Sequence, residues 1–203
     1  PRTSCSPGSR LLAKRPRLRS TRECDHFAAA MPIERPSALR RLRAKIERML
    51  GSIVQVNVSR GGVPKLPVLE ALVGETGIDG DEVAHPEVHG GPERALCLFA
   101  LERIEALAAE GHPIAAGTAG ENVTIRGIDW DSVLPGSRLR LGPDVLVEVT
   151  RFTTPCTTIR GSFRDRDSNR IHHNLHPGWS RAYAMVIRGG TLRPGDTVEL
   201  LEG

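Results

Sequence analysis

From about residue 51 onward, apolar positions recur mostly at every second residue, in short runs separated by Gly, Pro or acidic turns. Val54, Val56 and Val58 alternate with Gln55 and Asn57, the period of a half-buried strand. That strand runs into a Gly-containing loop at 59–65, and residues 66–73 form a second extended segment closed by Gly74. Further strands are predicted over 122–126, 138–141, 145–152, 182–188 and 197–201, with Gly or Pro turns between most of them. Pro92 is predicted to open one core helix in which Leu96, Phe99, Ile104 and Leu107 share a side, stopped by Gly111 and Pro113. Earlier in the chain, 37–50 places Leu39, Leu42, Ile46, Met49 and Leu50 on one helical stripe with Arg40, Arg41, Arg43, Lys45 and Arg48 elsewhere, behind an N-cap at Ser37. Many short strands with one substantial helix argue for a mainly β, barrel-like domain.

Charge divides the chain. The 203 residues carry a formal net charge of +4, but residues 1–48 hold 13 basic and 4 acidic side chains against 15 and 20 in the remainder. The folded part is therefore acidic, which removes the usual inference from overall basicity to nucleic acid. Seven scattered aromatic residues offer no base-stacking platform. No apolar run approaches the roughly 18–20 residues that span a bilayer, and four cysteines without a CxxC pair fit a reducing, cytoplasmic setting. Residues 1–36, rich in Arg, Ser and Pro and without apolar period, are predicted to be a disordered leader. With candidate starts at Met31 and Met49, upstream sequence is the expectation there rather than a targeting segment. The expected organisation is leader 1–36, basic amphipathic helix 37–50, suited to an acidic membrane surface or to the acidic body of the same protein, and one domain over 51–203.

Four features carry candidate chemistry. Cys156, in TTPCTTI just past a strand, sits among hydroxyl side chains with Arg151 and Arg160 close in sequence, cations that lower a thiol pKa and make it a nucleophile or soft-metal ligand. Cys97, in the apolar ALCLF of the predicted helix, is expected to be a small buried hydrophobe. In GIDGDEVAHPEVHGGPERAL, His85 and His89 are four apart, but Pro86 and the Gly90-Gly91 pair are expected to prevent a helical metal pair, whereas glycines ahead of a helix start suit an anion. Glu121 and Asn122 follow a second Gly-rich turn and are placed to orient a ligand. His172, His173 and His176 lack a second ligand set and are expected to be solvated loop residues. No Walker loop, GxGxxG after a strand or GxSxG elbow is present.

In order along the chain, VNVSRGGVPKLPV, GIDGDEVAHPEVHGGPERAL, AGTAGENVTIRGIDWDSVLPGSRLRLG, TTPCTTI and GWSRAYAMVIRGGTLRPGDTVEL together resemble the MOSC domain, the C-terminal domain of molybdenum cofactor sulfurases that also occurs as a stand-alone bacterial protein. The resemblance covers residues 51–201. It implies a β-barrel-like fold, and it implies that Cys156 ligates the molybdenum of a molybdopterin cofactor, completing a soft sulfur set. By the same resemblance Arg60, Lys65, Arg94 and the backbone at Gly90 and Gly91 are expected at the cofactor phosphate. His89, Asp81, Glu121 and Asn122 are expected as proton-handling or supporting groups around it.

The activity so implied is reduction of small N-hydroxylated compounds. Because the sequence stops just beyond the last predicted strand and holds no iron–sulfur module, electrons are expected from a separate reductase or ferredoxin-like protein. Pyridoxal phosphate is not expected, since no desulfurase-like region accompanies the domain. The alternative is a non-enzymatic carrier in which Cys156 bears a persulfide delivered by a cysteine desulfurase.

Overall fold

The computed structural model describes residues 37–201, so the leader 1–36 lies outside the described residues. The chain enters through α1 (Ala38–Met49), whose first turn is capped where the Arg40 N–H donates to Ser37 Oγ at 3.3 Å. Met49 packs against the core while Leu39 and Ile46 of the same stripe stay exposed. The strands follow: β1 (Leu50–Val58), β2 (Leu66–Val68), β3 (Ala71–Gly74) and β4 (Gly77–Ile78). After the single turn α2 (Pro86–His89) come β5 (Leu96–Ala100), α3 (Leu101–Ala109), β6 (Val123–Arg126), β7 (Arg138–Leu141) and β8 (Val145–Phe152). β9 (Ala182–Arg188), β10 (Gly190–Leu192) and β11 (Thr197–Leu201) complete the chain.

Seven strands close on themselves in the order β11-β7-β8-β9-β5-β6-β1, with the first residues of β1 returning to pair β11 and β2 pairing its last residues, Val56–Val58. Closure leaves the barrel no open edge. Strand alternation fills its interior: in β7 Leu139 and Leu141 are buried, while Arg138 and Arg140 face out and pair across the sheet with Glu148 and Glu199. A separate small sheet, β10-β3-β4, stands beside the barrel. Its strands of two to four residues are too short to leave a period of their own in the sequence.

One element departs from the predicted pattern. The run Leu96–Ala100 is a strand, not the start of a helix, and α3 begins only at Leu101. Pro92–Arg94 form a 3-10 turn. β5, with β6 as its parallel neighbour and β9 antiparallel to it, is buried at all five positions and therefore on both faces. A strand apolar on both faces shows no alternation and is indistinguishable by period from a buried helix.

Candidate active-site cleft

Between the loops at one side of β5 and β9 lies a cleft of about 830 Å³ open to solvent. Two thiols line it. Cys156 leaves β8 behind Pro155 and stands at the N-terminal end of the 3-10 segment Thr157–Ser162. Burial pushes this half-buried thiol up, but the Thr158 hydroxyl, the N–H groups of Thr158 and Ile159 and the charge of Arg181 together outweigh it, and its pKa falls below the ordinary value. Cys97 behaves oppositely. It is buried on β5, and burial raises its pKa against the partial offset of Arg181. One thiol of the cleft is thus shifted toward its ionised form and the other away from it.

Arg181 is 5% exposed, and its backbone and side chain both serve the cleft. Its carbonyl accepts from Thr153 N–H at 2.9 Å, fixing the chain three residues before Cys156. Its Nη1 donates to the Ala119 carbonyl and lies 4.0 Å from Cys97 Sγ, while Nε is buried without a protein partner. Gly120 makes this approach possible: at φ +84 a side chain would be strained, and a Cβ there would sit 3.0 Å from Val63 Cγ1 and 3.6 Å from Arg181 Nη1.

Asp81 ties the opposite wall. Its Oδ1 accepts from Ser59 N–H at 2.8 Å, and its Oδ2 accepts from Asn122 Nδ2 at 2.8 Å and from the Lys65 ammonium. Asn122 in turn accepts the Cys97 N–H through Oδ1 at 3.1 Å, so the network runs from the Gly62–Lys65 side of the cleft to β5. Glu121 lies below it, fully buried. Its Oε1 accepts from Gly117 N–H at 2.6 Å and from Thr124 Oγ1 at 3.1 Å, while Oε2 has no partner. Burial raises its pKa above the ordinary carboxylate value despite these bonds. A raised carboxylate pKa makes stability fall as pH rises from the ordinary carboxylate value through the folded one, because the native state holds the extra proton. Glu121→Gln keeps an acceptor for Gly117 and Thr124 and removes the buried ionisable group. It is therefore expected to match or exceed the wild-type Tm at neutral pH and to flatten the loss of Tm with rising pH, as thermal melts across weakly acid to neutral pH would register.

The MOSC domain family matches residues 85–199, over half of the chain. The chain belongs to the MOSC domain family. Protein YiiM of Escherichia coli is 31% identical over 125 residues, 59% of this chain and 54% of that protein. A protein of Gibberella moniliformis named "Reductase" is 33% identical over 132 residues, 63% of this chain but 23% of its own length. The chain thus spans about half or less of these two relatives. The crystal structure of YiiM from Geobacillus stearothermophilus superposes with a TM-score of 0.59 at 26% identity, covering 75% of each chain.

Set on this MOSC fold, the residues singled out from sequence divide. Cys156, His89, Asp81, Lys65, Gly90, Arg94 and Asn122 line the cleft, whereas Arg60, Gly91 and Glu121 do not. Lys65 spends its charge on Asp81, and the Gly90 N–H closes α2 on Pro86 O at 2.9 Å. Arg94 has no carboxylate partner among the described residues. The helix expected behind Gly91 is the three-residue turn already described, too short to present a helix dipole. Conversely Pro86 does not prevent a helical turn between His85 and His89: it occupies the first position of α2, where its missing N–H costs nothing.

Three further expectations are corrected. Arg151 pairs with Glu93 and Arg160 is exposed, so the cation near Cys156 is Arg181, distant in sequence. Cys97 is a wall of the cleft as well as a core residue. His173 is half-buried, stacked on Phe152 at 5.4 Å and on His172 at 5.5 Å, rather than solvated. No cluster of three His, Cys, Asp or Glu suited to a metal occurs among the described residues. Sequence reasoning also missed Arg181 and Tyr183, whereas Thr158 was among the hydroxyl side chains it placed around Cys156. For Tyr183 a signal existed, because strand parity in β9 puts it opposite the buried Ala182, Ala184 and Val186.

Proposed function

We propose that the cleft binds a molybdenum cofactor and reduces small N-hydroxylated compounds with electrons from a separate reductase or ferredoxin-like protein. The observation that carries this reading is the Cys156 thiol, lowered in pKa and half-buried in the wall of an open cleft that Arg94 and Arg181 also line. A soft thiolate suits a soft metal. The residues present fit the group: Cys156 would hold the metal, Arg94 would meet the phosphate, and the buried guanidinium of Arg181, lacking any carboxylate partner among the described residues, would favour an anionic occupant. When bound, the cofactor supplies a centre that accepts an oxygen atom and cycles by two electrons.

The chain's own residues orient and insulate. Asp81, Lys65 and Asn122 hold the wall and its backbone in one arrangement, and Cys97, kept neutral by burial, adds no competing thiolate. The name of the Gibberella relative, which matches over 63% of this chain, supports a reductive role. Purified from a cofactor-competent host and supplied with a reduced viologen, the chain is expected to convert an amidoxime or N-hydroxylated base to its reduced form, followed by chromatography of the product. No conversion by metal-loaded protein would refute the activity.

A further inference from the structure

α1 lies against the barrel by only one edge of its apolar stripe. Met49, in the last turn, packs against the core, and the helix touches β1 and β11. Leu39 and Ile46, two turns apart on one face, are instead 79% and 48% exposed. Leu50, which opens β1 directly behind the helix, is 43% exposed. An amphipathic helix of a folded domain ordinarily turns such a stripe inward; here the barrel leaves most of it in water. The same 12 residues carry Arg40, Arg41, Arg43, Lys45 and Arg48 against one acid, Glu47, while residues 49–203 hold 15 basic and 20 acidic side chains. Arg40, next to Leu39 in the first turn, is exposed as well.

We propose that α1 lies in the headgroup region of an anionic phospholipid bilayer, with Leu39, Ile46 and Leu50 reaching the acyl boundary and the basic residues at lipid phosphates. Charge and apolarity together select this occupant. A nucleic acid would take the cations but leave three apolar side chains with nothing to bury against. The same helix of a second copy would cover the apolar stripe but bring a like-charged face against it. An anionic bilayer satisfies both, which is the chemistry of an interfacial helix. A helix of 12 residues is about 18 Å long, short of the roughly 30 Å hydrocarbon core, so α1 rests along the surface rather than crossing it. The acidic barrel is repelled by the same lipid and stays in water. No residue of α1 lines the cleft, so the surface is independent of what the cleft binds.

Cosedimentation of the full chain with vesicles of mixed phosphatidylcholine and phosphatidylglycerol, and with phosphatidylcholine vesicles alone, tests the proposal. Binding to the mixed vesicles, little to the neutral ones, and weakening at high salt are expected. Arg40→Glu and the pair Leu39→Gln/Ile46→Gln should each weaken binding at least about tenfold, the first by reversing a charge at the lipid surface and the second by removing apolar burial. These positions are exposed, so melting curves of both variants should overlay the wild type and separate lost docking from lost folding. Wild-type chain that stays in the supernatant with both vesicles overturns the proposal. So does binding that Leu39→Gln/Ile46→Gln leaves intact, since charge alone, that of residues 1–36 included, then holds the chain. A wild-type dimer that ignores vesicles and becomes a monomer in Leu39→Gln/Ile46→Gln, read by size-exclusion chromatography, also overturns it and makes the face an interface between copies.

Discussion

Cys156→Ser is expected to abolish molybdenum retention and to lower the rate of N-hydroxyl reduction by at least about a hundredfold, more than the loss typical of removing a supporting residue of a metal site. The serine hydroxyl accepts the same surroundings, the Thr158 and Ile159 donors and the Arg181 charge. A hydroxyl is nevertheless a far weaker acid than a thiol, and oxygen is a hard ligand where the site calls for a soft one. Stability should barely change, since Cys156 is only partly buried. Cys97→Ala is the control. It removes the other thiol of the cleft but, being neutral and structural, should leave metal content intact while costing some stability through the space it vacates. Metal analysis and melting curves on the two variants separate the roles.

Asp81→Ala should produce the largest loss of stability of any change in the cleft. It strips the acceptor from three donors at once: Ser59 N–H, Asn122 Nδ2 and the Lys65 ammonium, whose side chain is 10% exposed. Breaking a buried ion pair by removing one partner costs about 3–5 kcal/mol, which for a domain of this size lowers Tm by on the order of 10 °C. Asp81→Asn keeps one acceptor but sets an amide against the ammonium, and is expected to fall between wild type and Asp81→Ala. If both variants melt with the wild type in calorimetry, the network does not hold the cleft wall. Asp81 is then open to a direct part in the chemistry rather than to holding the wall alone.

The sequence spoke most clearly where one face of a strand meets water. β7, β8, β9 and β11 alternate buried positions with half-buried or exposed ones, and turn residues mark their ends. β5 was illegible because both its faces are buried, and β4 and β10 because they are too short to show a period. Among site residues, Cys156 was visible from its local setting, a lone thiol behind a proline at a strand end. Its true electrostatic partner was not, because Arg151 and Arg160, its neighbours in sequence, turn to Glu93 and to solvent, while Arg181 arrives from β9's entry. Charge proximity along a chain is a poor guide to proximity in a barrel, where consecutive strands of the closed sheet are often far apart in sequence. Glu121 and Lys65 illustrate the same limit: both are of types that bind ligands, yet one is sealed in the core and the other neutralised by Asp81.

The most direct test is the molybdenum content of the full chain purified from a cofactor-competent host, read by plasma mass spectrometry beside the intact mass of the protein. Near-stoichiometric molybdenum, lost in Cys156→Ser and in a host unable to make the cofactor, is the expected result. Protein free of molybdenum but carrying a sulfur adduct of about +32 Da on Cys156 would contradict it and make the chain a persulfide carrier instead.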